Sequence, residues 1–188
     1  MKENLFVMNV IETEIPDLLI VEPSVFEDAR GYFFEGYQQK QYTELGIDAS
    51  FVQDNVVSSQ QNVLRGLHFQ VQHPQGKLVQ AIEGEVFDVV VDLRKTSTTF
   101  GKWVGVILSA ENHRQLYVPP GLAHGYYVRS KTSLVTYKCT DFYNPQYERT
   151  LQWDDPTIHI DWDLLSDTPL LSDKDAQGIL WNEIEIFE

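Results

Sequence analysis

The chain has 188 residues, of which 43% are hydrophobic and 12% aromatic, a composition typical of a globular protein with a sizeable core. Its formal net charge of -14 argues against a nucleic-acid backbone or an anionic membrane as partner. No apolar run approaches the length of a membrane span, and residues 1–4 lack the basic-then-apolar order of a signal peptide. The single cysteine, Cys139, permits no internal disulfide, which favours a reducing cytoplasm.

Short strands and turns dominate the pattern in chain order. Residues 5–21 alternate loosely as one or two strands broken at Pro16, and 28–31 is typical of a tight turn before strand character resumes. A short helix is predicted over 37–45, with Gly46 as its C-terminal stop. The remaining predicted elements are strands within 51–91 and over 103–108, 115–118, 125–128 and 133–140, then a late helix or turn at 172–175.

Many short strands separated by turn signals, with few helices, predict an antiparallel sandwich or barrel. No internal repeat, low-complexity tract or linker divides the chain, so we predict one domain over residues 1–188. The predicted fold is all-β, a jelly-roll-like β-barrel with short helical additions.

The predicted strand around residue 90 shows how such a barrel distributes polarity. Strict alternation places Phe87, Val89 and Val91 on one face and Asp88 among apolar neighbours on the other. Both faces are largely apolar, as expected where one lines the barrel and the other meets a second sheet or a subunit. Asp88 therefore needs a partner, either as a structural hydrogen-bond acceptor or within a site.

Two histidines, His68 and His124, are candidates for chemistry because each lies in a strand-edge motif. The other histidines, which lie in turns or polar surroundings, are predicted to be solvated: His73, His113 and His159. A typical cupin metal site needs a close His-x-His pair, a carboxylate and a later histidine. Gln70 stands two positions after His68, so we predict no metal site, and both histidines could instead be buried structural residues.

Two further residues have both a structural and a chemical interpretation. Tyr137 shares a strand face with Val135 and Cys139, as a core tyrosine would, yet beside a histidine it could form an acid–base pair. Lys77 follows a turn at Gly76, where a lysine is usually solvated, but near a carbonyl it would stabilise a developing oxyanion. Spacing alone leaves these interpretations open.

Motifs spread along nearly the whole chain carry a resemblance to a known family. They are FEDARGYF at 26–33, QDN at 53–55, RGLHFQ at 65–70, GKL at 76–78, FDVVVDLR at 87–94, PPGLAHG at 119–125, YKCT at 137–140 and LSDKD at 171–175. In this order they resemble the dTDP-4-dehydrorhamnose 3,5-epimerase family. The resemblance implies a cupin-like jelly roll, usually a homodimer, that epimerises the nucleotide-sugar dTDP-4-keto-6-deoxyglucose with no metal and no cofactor.

Carried over residue by residue, the resemblance implies His68 as general base, Asp175 as its orienting partner, Tyr137 as general acid and Lys77 near the 4-keto oxygen. Further residues would contact the nucleotide-sugar: Arg30, Glu35, Gln53, Asn55, Arg65, His124, Tyr143, Glu148 and Lys174. The cationic ones would favour its diphosphate, and Tyr143 would stack on the thymine of the neighbouring subunit's ligand. The family commonly has a glutamate and a phenylalanine where Pro120 and Tyr126 stand.

Two of these roles conflict with the local sequence pattern. Strict alternation puts Arg65 and His68 on opposite faces, so both enter one site only if Gly66 marks a bulge or the strand begins after Arg65. Ser172-x-x-Asp175 also fits a helix-capping box, so Asp175 could merely close a helix N-terminus.

Three classes of function are compatible with these residues. The leading hypothesis is an isomerase that inverts C3 and C5 through enolate intermediates and gives dTDP-4-keto-L-rhamnose; a close variant inverts one centre or isomerises the ketone of a related sugar. A metal-dependent cupin enzyme would use His68 and His124 as ligands. A nucleotide-sugar-binding module without catalysis is the third class, and the intact set of His68, Lys77, Tyr137 and Asp175 argues against it.

Overall fold

The structure, a computed structural model, describes residues 8–187. The beginning of the strand region predicted over 5–21, and residues 1–4 considered for a signal peptide, lie outside the described part. The described strands are β1 (Asn9–Glu12), β2 (Leu19–Glu22), β3 (Phe26–Asp28), β4 (Gly31–Phe33), β5 (Gln53–Gln60), β6 (Leu64–Gln70), β7 (Lys77–Glu83), β8 (Glu85–Asp92), β9 (Trp103–Ser109), β10 (Gln115–Val118), β11 (Leu122–Val128), β12 (Thr132–Cys139) and β13 (Glu148–Thr150). The described helices are α1 (Gln39–Glu44) and α2 (Asp173–Ala176).

Two antiparallel sheets pack face to face around a common core. The larger sheet has the strand order β1-β2-β10-β7-β12-β5, and the smaller has the order β13-β6-β11-β8-β9. Val79 and Leu116 of the larger sheet meet Val90 and Val128 of the smaller one in this core, and all four side chains are buried. The predicted all-β jelly-roll barrel with short helical additions is thereby confirmed. No helix within residues 8–187 combines the length and the apolar character needed to cross a bilayer.

The outer face of the smaller sheet is covered by the chain's own C-terminal segment, residues 151–187. Strand β8 alternates as predicted, because Val89 and Val91 point to this outer face while Val90 points to the barrel core. Phe87 packs edge-on against Trp162 of the segment, with ring centroids 6.5 Å apart. The apolar face that the sequence left open for a subunit contact is therefore used within the chain.

Most predicted elements appear in the structure with small changes at their ends. The helix predicted over 37–45 is present as α1, and the strand predicted over 125–128 begins earlier, at Leu122. Strand β13 was not predicted because its three residues are polar or charged and pair only as the edge of the smaller sheet. His113, predicted to be solvated, is only partly so: its half-buried ring packs against Tyr32 and Phe34, at centroid distances of 4.6 and 5.3 Å.

A buried carboxylate holds the loop after β8. Asp92 is fully buried and accepts hydrogen bonds from Arg94 Nε at 2.9 Å, Ser97 Oγ at 2.6 Å and Thr99 Oγ1 at 2.7 Å. Burial alone would raise the pKa of Asp92, but these hydrogen bonds outweigh it and hold the pKa below its usual value. The charged carboxylate therefore stabilises the fold above its unfolded-state pKa, and this stabilisation is lost as the pH falls through the lowered pKa.

We expect Asp92→Asn to lower the free energy of unfolding by about 3 kcal/mol, because the amide removes the charge and turns one acceptor into a donor facing other donors. Urea denaturation of both proteins measures the difference. Asp48→Asn is the matched control, since Asp48 is exposed and a surface change of this kind is expected to stay within about 0.5 kcal/mol. Equal urea midpoints for the two variants would contradict the role given to Asp92.

Candidate active site

A cavity of about 350 Å³ opens between the two sheets, and its wall combines side chains from both. It brings together most of the residues proposed from the sequence: Gln53, Asn55, Arg65, His68, Lys77, His124, Tyr137, Tyr143, Glu148 and Lys174. Strands β5, β7 and β12 supply one side of the wall, and β6, β11 and β13 supply the other. A ligand bound here would therefore have protein groups on two opposite faces.

The larger sheet presents its polar groups in two neighbouring rows. Tyr137 on β12 is paired with Asn55 on β5, and Cys139 is paired with Gln53 on one side and Lys77 on the other. Residues two apart on a strand share a face, so Tyr137 and Cys139 point the same way. Because Lys77 is paired with Cys139, its side chain lies on the same face, next to Tyr137.

A bulge in β6 explains how Arg65 and His68 reach the same cavity. His68 is paired with His124, whereas Arg65 is paired with Tyr126. Between these two pairs β6 therefore contains one residue more than β11, which is a β-bulge. Gly66 has φ +121°, and a Cβ there would lie 2.5 Å from Gly125 Cα, so the close approach of the strands requires glycine. Of the two alternatives left open by the sequence, the bulge at Gly66 is confirmed, and β6 does not begin after Arg65 but at Leu64.

Asp175 contacts His68 from behind the cavity. Its Oδ1 lies 2.6 Å from His68 Nε2 and accepts the Gly66 backbone N–H at 3.3 Å, while Oδ2 accepts the Ser172 hydroxyl at 2.7 Å. Ser172 Oγ in turn accepts the Asp175 backbone N–H and caps α2. The two interpretations of Ser172-x-x-Asp175 therefore hold together: the capping box fixes the helix that carries the carboxylate to the histidine.

The surroundings of His68 set its protonation state. Burial lowers the pKa of His68, and the hydrogen bond to Asp175 only partly opposes this. Burial raises the pKa of Asp175, but hydrogen bonds from His68, Ser172 and Gly66 outweigh it and bring the pKa below the usual value. At neutral pH the pair is thus a neutral imidazole, able to take a proton, next to a carboxylate.

In contrast to His68, which can accept a proton, Lys77 and Tyr137 can both donate a hydrogen bond or a proton. Burial lowers the pKa of Lys77 and raises the pKa of Tyr137 to about 12. Among residues 8–187, nothing forms an ion pair or hydrogen bond with the Lys77 ammonium, and it lines the cavity. An amino group without a protein partner, next to a protonated phenol, can donate to a ligand oxygen that gains negative charge.

A linked set of side chains forms another part of the wall. Lys174 Nζ donates to Glu148 Oε1 at 2.9 Å, and the Tyr143 hydroxyl donates to Glu148 Oε2 at 2.9 Å. The Tyr143 backbone N–H also donates to Gln53 Oε1 at 3.0 Å. Burial raises the pKa of Glu148, but hydrogen bonds from Lys174 and Tyr143 outweigh it, so this carboxylate stays charged and holds both side chains.

His124 and Asp88 form a second, deeper pair. Both carboxylate oxygens of Asp88 lie 2.9 Å from His124 Nε2, and Asp88 is fully buried. Asp88 thus has the partner that the sequence required of it, and it fixes the ring of a cavity residue. Within residues 8–187, no three His, Cys, Asp or Glu side chains are grouped as metal ligands.

Two residues proposed as substrate contacts do not line this cavity. Arg30 lies on the β3–β4 hairpin with 90% of its side chain exposed, where it pairs with Asp28. Glu35 follows the hairpin and accepts a hydrogen bond from Gln41 Nε2 at 3.1 Å.

The sequence also missed residues of the wall. Gln70 and Gln75 donate to backbone carbonyls of Phe142 and Asp141 and so hold the loop that carries Tyr143. Tyr126 lines the cavity as well. Nothing in the local sequence gives the two glutamines this role, and Tyr126 stood out only as a departure from the family's usual phenylalanine.

Comparison with known proteins identifies relatives over almost the full length. The sequence profile of the dTDP-4-dehydrorhamnose 3,5-epimerase family matches residues 12–183. Curated relatives described as dTDP-4-dehydrorhamnose 3,5-epimerase include those of Pseudomonas aeruginosa, 52% identical, and Shigella flexneri, 53% identical. Each alignment covers 96% of this chain and 99% of the relative.

Solved structures give the same result for the fold. The dTDP-6-deoxy-D-glucose-3,5-epimerase of Legionella pneumophila, crystallised with dTDP-4-keto-L-rhamnose, superposes with a TM-score of 0.92 at 53% sequence identity. The superposition covers 95% of this chain and 95% of that chain.

Proposed function

This chain belongs to the dTDP-4-dehydrorhamnose 3,5-epimerase family, and on that premise we propose that it inverts C3 and C5 of dTDP-4-keto-6-deoxyglucose without a cofactor. The product would be dTDP-4-keto-L-rhamnose. The observation that carries the proposal is the placement of His68 with Asp175 on one sheet side of the cavity and of Tyr137 with Lys77 on the other.

His68 is proposed as the base that removes the proton next to the ketone. Such a proton becomes removable when the enolate oxygen is stabilised as its charge develops, and the side-chain amino group of Lys77 in the cavity wall would provide that stabilisation. The substrate's own ketone accepts the electron pair of the broken C–H bond, and His68 takes the proton. All electrons and protons of the step are thus accounted for without a redox or metal group.

Tyr137 is proposed as the acid that returns a proton to the opposite face of the ring carbon. Inversion requires this geometry, since a proton returned to the same face restores the starting sugar. His68 comes from β6 and Tyr137 from β12, strands of the two facing sheets, which supports placing them on either side of the ring. The same pair would act at C3 and at C5, with the sugar turning between the steps.

The nucleotide part is assigned to the group of residues around Glu148. Besides Lys77, the wall contains the basic residues Lys174 and Arg65, which would favour a diphosphate. Tyr143, half exposed at the cavity, offers its ring for stacking on a thymine. Gln53 and Asn55 supply further hydrogen-bonding groups from β5.

We propose a homodimer in which the hairpin completes the partner's site. Arg30 lies away from the cavity of its own chain, and the neighbouring Tyr32 and Phe33 are 51% and 60% exposed. Strand β5 is an open edge of the larger sheet, with Val56 68% exposed. A hairpin with exposed aromatic side chains and an open sheet edge on one chain fit a two-fold contact with a second copy, which sedimentation velocity would detect.

The experiment that tests the reaction is proton NMR of dTDP-4-keto-6-deoxyglucose with the enzyme in deuterated water. We expect deuterium at both C3 and C5, together with conversion to the L-lyxo sugar. Label at one carbon only would identify a single-centre epimerase. Binding without exchange at either carbon would overturn the proposed chemistry.

The fall of kcat/KM at low pH, the acid limb of its pH profile, provides a separate prediction for Asp175. We expect kcat/KM to fall as the pH drops through the lowered pKa of His68, because the base must be neutral. Asp175→Asn removes an interaction that raises this pKa, so the limb should move to still lower pH while kcat drops about a hundredfold from lost orientation.

Ser172→Ala is the matched control for that variant. It removes the helix cap and one hydrogen bond to Asp175 but keeps the carboxylate beside His68. We expect a stability loss of about 1 kcal/mol and an acid limb at the wild-type position. An Asp175→Asn profile that also keeps the wild-type limb would show that the carboxylate does not influence His68.

A further inference from the structure

One buried side chain at the cavity is bonded to the loop that carries Tyr143. Gln70 is the last residue of β6 and is only 3% exposed. Its amide nitrogen donates to the carbonyl oxygens of His73 at 2.8 Å and Phe142 at 3.3 Å, and its amide oxygen accepts the Asn144 backbone N–H at 2.7 Å. Every polar atom of this amide therefore already has a partner within the protein.

These hydrogen bonds fix the backbone on both sides of Tyr143. The Phe142 carbonyl belongs to the peptide group before Tyr143, and the Asn144 N–H belongs to the peptide group after it. The Tyr143 N–H itself donates to Gln53 Oε1 at 3.0 Å. A carboxylate could not donate to the first peptide group and an apolar side chain could bond to neither, so holding both requires an amide at Gln70.

The ring end of Tyr143 is held at the same level of the sheet. Its hydroxyl donates to Glu148 Oε2 at 2.9 Å, and Glu148 on β13 is the residue paired with Gln70 on β6. Tyr143 nevertheless remains 50% exposed and lines the cavity. The ring is thus fixed at both ends while half of the residue stays open, so a flat base can stack on it without first ordering the loop.

We propose that Gln70 is a positioning residue for nucleotide recognition, which acts by holding Tyr143 in the conformation that stacks on the base. The loop between β12 and β13 is then ordered before the ligand arrives. Gln70 stands two positions after His68, where a His-x-His metal site would have its second ligand, and its amide serves the loop instead. This inference rests on the proposed function, since it takes a thymine nucleotide as the ligand and Tyr143 as the stacking group.

The test is calorimetric binding of dTDP to wild type, Gln70→Met, Tyr143→Ala and the double variant. Methionine keeps the length of the buried side chain but makes none of the hydrogen bonds to the loop. We expect Gln70→Met to bind dTDP about tenfold more weakly, because the ligand must then order the loop. In the Tyr143→Ala background the same change should alter the affinity by less than about twofold, since no ring is left to position.

Turnover distinguishes the positioning of Tyr143 from damage to His68, which lies on the same strand. We expect Gln70→Met to raise KM about tenfold and to keep kcat within about twofold of wild type. Gln61→Met is the matched control, because it also removes a glutamine bond to a backbone carbonyl, that of Arg129 at 2.8 Å, but lies exposed and outside the cavity wall. Its KM, kcat and dTDP affinity should equal those of wild type.

Three results would overturn the role of Gln70: unchanged dTDP affinity in either single variant, an equal loss with and without the Tyr143 ring, or a kcat that falls as far as the affinity. If Gln70→Met does not fold, Gln70→Asn replaces it with the same expectations, because its amide is one methylene too short to reach both peptide groups. Wild type that neither binds dTDP nor converts the sugar would instead overturn the proposed function, so the two failures are distinguishable.

Discussion

Replacing His68 by asparagine is expected to lower kcat by at least about a thousandfold while leaving the affinity for dTDP unchanged. Asparagine is smaller, cannot accept the proton at neutral pH, and still offers a donor to Asp175. A positioned general base contributes about 10²–10⁴ to the rate, and here the same base would serve two carbons. Turnover by NMR and binding by calorimetry measure the two effects separately.

His159→Asn is the control for this variant, because His159 is exposed and lies outside the cavity wall. Its turnover should equal that of wild type. Wild-type turnover by His68→Asn would show that another group removes the proton and that the base assignment is wrong.

Replacing Tyr137 by phenylalanine is expected to lower product formation by about 10²–10³-fold but to leave solvent exchange at the substrate. His68 would still remove the proton and return deuterium to the same face, whereas inversion needs a donor on the opposite face. The deuterium NMR experiment should therefore show label in unconverted substrate. Since the pKa of Tyr137 is about 12, this donor should stay protonated through pH 9 in the wild type.

Tyr117→Phe is the comparison for that result. Tyr117 lies on β10, packs with the cluster on the outer side of the larger sheet and does not line the cavity. We expect full turnover from it. If Tyr137→Phe lost both solvent exchange and product formation, the tyrosine would be needed for proton removal. It would then not act only as the acid that returns a proton to the ring carbon.

The barrel could be predicted because its strands alternate and its turns are marked by glycine, proline and asparagine. Polar edge strands carry no such signal, which is why β13 was missed although it brings Glu148 to the cavity. Strict strand alternation also predicted opposite faces for Arg65 and His68, whereas the bulge at Gly66 lets both side chains line the cavity.

The site itself was predicted by motif resemblance more than by spacing. A capping box could not reveal that Asp175 also reaches His68, since the contact depends on how the C-terminal segment packs. Arg30 and Glu35 lie outside the cavity, which nothing in their sequence motif indicated.

The link between His68 and Asp175 spans 107 positions of the chain, with a consequence for how the protein is made. Translation at roughly 5–20 residues per second separates the emergence of the two residues by about 5–20 s. Such distant pairings also slow folding, because a long loop must close before they form. A nascent chain can thus build its hairpins early, yet His68 lacks its carboxylate partner until the segment carrying α2 has emerged and docked.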